Sequence, residues 1–440
     1  MTKKALNILV FSDVISTRLI YTLNFISENQ NFKIKTTNDV KLFEASDELK
    51  IVYSDRYFEA NYLQISPCEV LFQDGVDDFS YQWKDNEKDS KKLLIDEKDD
   101  VFAAVFAVLT NYRDYLVDAG YRDKHNRVPA KYNLLYQGGV HKELMIERWI
   151  RDFVDQVNLF YNSEIEWIKQ PISVQPTFDI DLAFAYLEKP LWRNVLSKGL
   201  DSIKNDKDRK TERQKVIQNL KKDPFDTFDY ISALRSRDFS PILFWLLGDY
   251  SKFDKNLAFD NKTQIALIKS MEVNTDIGIH PSYKSNEDFR LLTKEVNRLE
   301  SILSEKVTKS RQHFLKLEFP QTYQRLIKLG VKEDYSLGFA ETTGFRVGTI
   351  RPHFWYDLLN DEVTDLVIHP FSYMDGTLKE YQNLSIEEAK SEVSLLFKEI
   401  KQFGGEFSFI WHNSTIGDYG KWKGWRSVLE HSLNLKSEIE

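Results

Sequence analysis

The sequence predicts an α/β protein in two parts: a smaller mixed α/β domain over residues 1–165, then a distorted seven-stranded (β/α) barrel over residues 172–435. Three observations predict it. At 440 residues the chain exceeds what one core ordinarily fills, so two domains are the default. The stretch from Pro171 to Pro176 interrupts the pattern and reads as a linker into the second half. Beyond it, strand-like and helix-like segments alternate, as they do in a parallel sheet or barrel.

In the first part, Ala5–Phe11 and Leu49–Tyr53 have the apolar runs of strands. Asp100–Leu116 reads as one helix, with Phe102, Val105, Phe106, Leu109 and Tyr112 near helical spacing. The charged stretch Asp85–Asp100 (DNEKDSKKLLIDEKDD) reads as a solvated loop, and His125 and His141 as exposed loop histidines. No chemistry is evident in this half.

In the second part seven strands are expected: Val174–Asp181, Pro241–Leu247, Val273–His280, Thr308–Phe314, Val331–Ser336, Asp365–Tyr373 and Glu406–His412. Leu291, Leu292, Val296, Leu299, Ile302 and Leu303 form the apolar stripe of a helix between the third and fourth, with Ser285 as its expected N-cap. Asp201–Lys222 is a charged helix expected on the outside. In such a barrel the functional groups sit at the C-terminal ends of the strands.

Composition narrows the function classes. The chain is 42% hydrophobic and 14% aromatic, which supplies packed interiors and argues against disorder. Its 68 acidic and 60 basic residues give a net charge of −8 with no basic stripe, so nucleic acid is not an expected partner. Cys68 is the only cysteine, which rules out an intramolecular disulfide and a Cys-rich zinc module. The start MTKKALNILVFSD reads as a first strand rather than a signal peptide, because its apolar run stops at Ser12-Asp13 without a small-residue cleavage pattern. No stretch approaches the ~20 apolar residues of a transmembrane segment. A soluble cytoplasmic protein is the expectation.

The chemistry gathers in the second half, which holds six of the eight histidines after residue 279. In T-F-D-I-D, Asp179 and Asp181 are two residues apart on one face of a strand, with Phe178 and Ile180 on the other. A lone D-x-D can equally cap the next helix or pair with Lys and Arg. His280 ends the third expected strand in I-G-I-H-P-S-Y, His313 ends the fourth and His412 the seventh. Taken singly each is an ordinary polar residue. Together they fit a divalent metal with mixed nitrogen and oxygen ligands and an open position for water.

The order T-F-D-I-D, I-L-F-W-L-L-G-D-Y, G-I-H-P-S-Y, S-R-Q-H-F, D-Y-S-L-G, F-I-W-H resembles the polysaccharide deacetylase (NodB-type) family over roughly residues 172–430. Within it the chain is most similar to a bacterial subgroup, chiefly from Bacteroidota, whose extra N-terminal domain of unknown function residues 1–165 resemble. The resemblance implies a barrel of the deacetylase type and metal-assisted hydrolysis of N-acetylated sugars. It implies Asp179 as the general base that deprotonates the attacking water, Asp181 and His280 as metal ligands, and Arg311 as the residue that orients the catalytic aspartate. Asp334 would support the acid histidine, and His412 would protonate the leaving amine.

Two departures bear on the metal. The family's second metal histidine would fall at 284, which is Lys284 here, and His313 replaces the proline usual two residues after the motif arginine. Either His313 supplies the missing ligand from the neighbouring strand, or metal binding is weakened or lost and the chain is a catalytically impaired carbohydrate-binding or assembly protein on a deacetylase scaffold. Tyr283, Arg346, Trp422 and Trp425 are the candidate sugar contacts. Arg346 also fits a turn and the tryptophans also fit helix packing; His353 and His369 read as structural. The expected activity is a hydrolase removing acyl groups, acetyl first among them, from amino sugars of a glycan or a cytoplasmic glycan precursor. Its expected cofactor is a divalent metal of the zinc kind and its partner a carbohydrate. An amidase acting on a small non-sugar amide is the third reading.

Overall fold

The structure, a computed structural model, describes residues 6–86, 90–189 and 207–439. Strand β1 (Leu6–Ser12) lies inside a four-stranded parallel sheet with β2 (Phe32–Thr37), β3 (Leu49–Tyr53) and β4 (Leu63–Ile65), in the order β2-β1-β3-β4. Its continuous apolar run follows from burial on both faces. Ile8 and Val10 join the helices Thr17–Ser27 and Val101–Leu109 in one cluster, while Leu9 and Phe11 pack with Phe43 on the other side.

Two expectations for this half are corrected. The charged stretch is a hairpin, not a loop: β5 (Tyr81–Asp85) pairs antiparallel with β6 (Lys91–Ile95). Asp85, Asp96, Glu97 and Asp99 are exposed, while Leu93, Leu94 and Ile95 are buried and Trp83 stacks on Trp149 at 6.1 Å. Charge density hid the short apolar run Leu93–Ile95. The helix of Asp100–Leu116 stops at Leu109, because Asn111 turns left-handed (φ 53°) and Tyr112–Tyr115 form a separate 3₁₀ turn. Asp100 caps the helix by accepting from the N–H groups of Phe102 and Ala103, an interaction contributing about 1 kcal/mol.

The large sheet has nine strands: β7 (Ile172–Ile180), β8 (Ile242–Trp245), β9 (Asp276–Ile279), β10 (Lys309–Ser310), β11 (Glu333–Asp334), β12 (His353–Asp357), β13 (Glu362–Ile368), β14 (Tyr373–Met374) and β15 (Gly405–His412). Their order is β12-β13-β11-β10-β9-β8-β7-β15-β14, and every pair is parallel except β12 with β13. This is a mixed α/β architecture built on a large, mostly parallel sheet. Each of the seven expected strands overlaps a strand here; Asp365–Tyr373 divides between β13 and β14, and β12 was not expected. The run from Glu362 to Met374 pairs first with β11 and then with β15, and between them Phe371 N–H donates to Leu337 O and Ser372 N–H to Ser408 O.

Thr308–Phe314 is strand only at Lys309–Ser310, and His313 instead opens a 3₁₀ turn. A side chain ends the ladder there: Gln312 N–H donates to the Ser336 hydroxyl at 2.9 Å rather than to a backbone carbonyl. Ser285 does not cap the stripe helix Phe289–Leu303; Asp288 does, accepting from Arg290 N–H. Of the charged helix expected at Asp201–Lys222, Lys207–Ile217 is helical, and residues 201–206 lie outside the described residues.

Between the strands Ile242, Phe244 and Tyr335 form an apolar plug. It explains Gly278, where a Cβ would lie 2.7 Å from the Phe244 ring. Buried and half-buried ion pairs join the first 162 residues to the rest: Arg18–Asp361 at 2.7 Å, Arg148–Glu399 at 2.7 Å and Arg351–Glu147 at 3.1 Å. Among the described residues no helix is long and apolar enough to cross a membrane.

Candidate active site

At the C-terminal ends of β7, β9, β10 and β15 the chain gathers five of the residues singled out in the sequence. Asp179 lies on β7 and Asp181 just beyond it, and Asp179 sits opposite His412 in the β7–β15 register. Asp181 Oδ1 is 3.3 Å from His280 Nε2 and 3.6 Å from His313 Nε2. One ligand atom from each of Asp181, His280 and His313 lies within 4.8 Å of the others. The Asp181 side chain is 38% exposed, yet its Oδ1 is buried and accepts no hydrogen bond. A buried carboxylate oxygen without a donor, faced by two imidazole nitrogens, fits a divalent cation of the zinc or similar kind.

Outer contacts aim both imidazoles. His280 Nδ1 lies 2.5 Å from Arg311 O and His313 Nδ1 lies 3.0 Å from Asp254 Oδ1. With Nδ1–H donating in each case, the Nε2 lone pairs point at Asp181, the tautomer that metal-binding histidines use. Asp254 is fully buried and also accepts from Tyr283 N–H at 2.8 Å and the Ser251 hydroxyl at 2.7 Å.

Burial works against charge here, but neighbouring groups outweigh it. Burial would raise the Asp181 carboxyl; His313, His280 and His412 hold it well below the usual carboxylate range. Burial would lower His313, but Asp181 and Asp254 push it up to about 9. A cation entering this site would displace that proton.

Asp179 is held from behind. Arg311, wholly buried, donates through Nη1 to Asp179 Oδ1 at 3.2 Å and to the Thr177 hydroxyl at 2.6 Å, with its guanidinium over the Phe244 ring. Asp179 Oδ2 is 3.8 Å from His280 Nε2, so the carboxylate borders the ligand set without joining it. On the other side stands His412, whose Nδ1 bonds Asp375 Oδ1 at 2.9 Å and whose Nε2 is 3.9 Å from Asp181 Oδ2. Burial opposes its charge, yet Asp375 and then Asp181 and Asp179 raise it to about 10.

Asp375 corrects the expectation for Asp334. Asp334 accepts from the Ser310 and Ser336 hydroxyls and faces Arg311, with no bond to His412. The carboxylate at His412 is Asp375, which also accepts from His412 N–H and the Thr415 hydroxyl. An aspartate after a two-residue strand carried no pattern of its own. Asp254 was likewise missed, lying in an irregular loop with nothing in its spacing to mark it.

The candidate sugar contacts separate. Trp422 lines the cleft of about 310 Å³ over the cluster, together with Tyr381, Met374 and Leu315. Trp425 is only 2% exposed and packs in the large core, edge-on to Trp422. Arg346 is buried away from this cleft, paired with Asp114 at 2.6 Å across the seam between the two halves. Tyr283 stands behind the cluster, packed on Phe253 and Phe314 and overlaid by the Lys316 ammonium. Lys284 is exposed. His125 is buried against Phe314 rather than exposed, and His141 is half-buried beside Tyr136. A larger cleft of about 690 Å³ lies in the N-terminal half beside Trp149, but no imidazole converges there on carboxylates.

Residues 8–162 match a family of unknown function, DUF7033. No curated protein matches the chain. Among solved structures it is similar to a protein designated a polysaccharide deacetylase from Mycobacterium smegmatis, at 14% identity and TM-score 0.39, covering 62% of this chain and 87% of that one. A family 4 carbohydrate esterase from Streptomyces lividans, solved with acetate, matches at 7% identity and TM-score 0.27, covering 61% of this chain and 90% of that one. IcaB from Ammonifex degensii matches at 13% identity and TM-score 0.20, over 25% of this chain and 54% of that one. What the site can do is read from its own side chains.

Proposed function

We propose that the chain is a metal-dependent hydrolase that removes N-acyl groups, acetyl first among them, from amino sugars of a glycan or glycan precursor. One observation carries this reading: Asp181 Oδ1 and the Nε2 atoms of His280 and His313 converge on one point, between a carboxylate at Asp179 and an imidazole at His412. The side chains divide the work. Asp179, braced by Arg311, is the base that takes the proton of the attacking water. His412, braced by Asp375 and raised to about 10, carries the proton that the departing amine needs. Asp181, His280 and His313 would hold the cation, whose Lewis acidity polarises the acyl carbonyl and acidifies water when bound. Tyr381 and Trp422 border the space in which a sugar ring would lie.

We infer with it that the large sheet closes as a seven-stranded barrel, supported by the run Glu362–Met374 pairing with both β11 and β15. Residues 1–165 and 172–435 would then be the two domains.

A second reading has its own support. Protonated His313 and His412 already balance Asp181 without a cation, so a carbohydrate-binding protein needing no metal is chemically self-consistent. Metal analysis of the purified full-length chain separates the two. One divalent ion per chain, lost in His280→Ala together with acetate release from N-acetylated sugar oligomers, is the hydrolase result. Sugar binding with no ion, undiminished in His280→Ala, overturns it.

A further inference from the structure

We propose that the N-terminal region is part of the cation site, with Arg127 and His125 as positioning residues for the ligand His313. The inference rests on the cation reading of the Asp181 cluster and names what holds its third ligand. His313 opens a turn whose next two residues, Phe314 (φ 59°) and Leu315 (φ 53°), are both left-handed without being glycine. Such residues are strained, and conformations of this kind persist only where their surroundings over-determine them.

The surroundings come from a loop nearly two hundred residues earlier in the chain. Arg127 Nη1 donates to Phe314 O at 3.0 Å, fixing the carbonyl of the first left-handed residue. Its Nε donates to Asp123 Oδ2 at 2.8 Å, and its Nη2 reaches the Tyr381 hydroxyl at 3.1 Å. Asp123 is itself locked by the N–H groups of His125 and Arg127. The His125 ring lies 4.6 Å from the Phe314 ring, and Phe253 and Tyr283 complete the aromatic cage. Although Arg127 borders the cleft, Asp123, Phe314 O and Tyr381 engage its nitrogens on three sides. It therefore acts through the turn rather than on a substrate. Asp254 fixes the His313 ring from one side, and Arg127 of the 123–127 loop fixes the carbonyl of the next residue, Phe314, from the other.

Cobalt(II) titration of the metal-stripped full-length chain tests this, reading the dissociation constant and the visible absorption of the bound ion. Loss of an outer positioning contact weakens a metal site by about tenfold to a hundredfold, and Arg127→Ala is expected in that range. Arg127→Lys is expected to recover part of the loss. Arg148→Ala breaks the seam ion pair with Glu399, which touches neither the turn nor the cleft; it should lower the melting temperature and leave cobalt affinity unchanged. If Arg127→Ala yields no folded protein, His125→Ala decides the matter by the same readout. Unchanged affinity in the folded loop variant, with binding abolished in His280→Ala, overturns the proposal and leaves the hydrolase reading standing. An equal loss in Arg148→Ala also overturns it, since general loosening would then be the cause. A parent chain that binds no cobalt sinks both.

Discussion

His313 and His369 are each wedged between two carboxylates and each is pushed up to about 9, yet they differ in what surrounds the pair. At the starting ends of β11 and β15, His369 bonds Glu406 at 3.0 Å through Nδ1 and Glu333 at 3.3 Å through Nε2, with its ring stacked on Tyr335 at 4.3 Å. Glu333 also accepts from Lys309 at 2.6 Å and from the Tyr335 hydroxyl at 2.7 Å. This cluster is closed. At the other end of the strands, Asp181 Oδ1 is shared by two imidazole nitrogens, takes no hydrogen bond, and opens on a cleft. A perturbed histidine is therefore no sign of function by itself. The discriminating feature is a buried acceptor left without a donor beside nitrogens whose outer atoms are already fixed.

The comparison can be broken most severely at Asp179. Asp179→Asn should cut deacetylation by about 10² to 10⁴-fold while the bound ion stays stoichiometric, because it removes a base and not a ligand; loss of the ion along with the activity would merge the two roles. Asp254→Asn comes next, with an expected tenfold to hundredfold weakening of cation affinity, about the usual worth of a carboxylate behind a metal histidine. An unaltered titration would make Asp254 as incidental to the ion as Glu406.

His369→Gln should leave cation binding untouched and cost about 2 kcal/mol of stability, the loss of charge-assisted hydrogen bonds in that closed cluster. Any change in ion content would erase the distinction between the two clusters. The smallest effect is in pH. His369 is raised from an ordinary 6.5 to about 9 because burial, which opposes its charge, is outweighed by Glu333 and Glu406. Its stabilisation is thus fully present below pH 6.5 and lost as pH climbs through about 9. Melting temperatures of the parent and His369→Gln should differ most at pH 6 and converge toward pH 10; a constant gap would show that the ring contributes packing alone.

The seam with the N-terminal region explains why half of the molecule looked chemically silent. His125 and Arg127 carry no motif, and their roles exist only because Phe314 packs against them. Arg346 shows the converse. It sits in a Gly-containing loop that invited a ligand, but Asp114 takes its charge into the seam.

Local pattern determined what needs only neighbours along the chain. The alternation that puts Asp179 and Asp181 on one face, the apolar run of β1, and the placement of His280 and His412 at strand ends follow from the two-residue period of a strand and from burial on both faces. Tertiary structure alone decided which of these groups meet. It chose Asp375 over Asp334 as the partner of His412, ended the strand before His313 and set that residue ahead of two left-handed ones, and placed Asp254 behind it. A hydrogen bond or a coordination sphere depends on distances of a few ångströms between residues tens to hundreds apart in sequence. No periodicity along the chain encodes those distances.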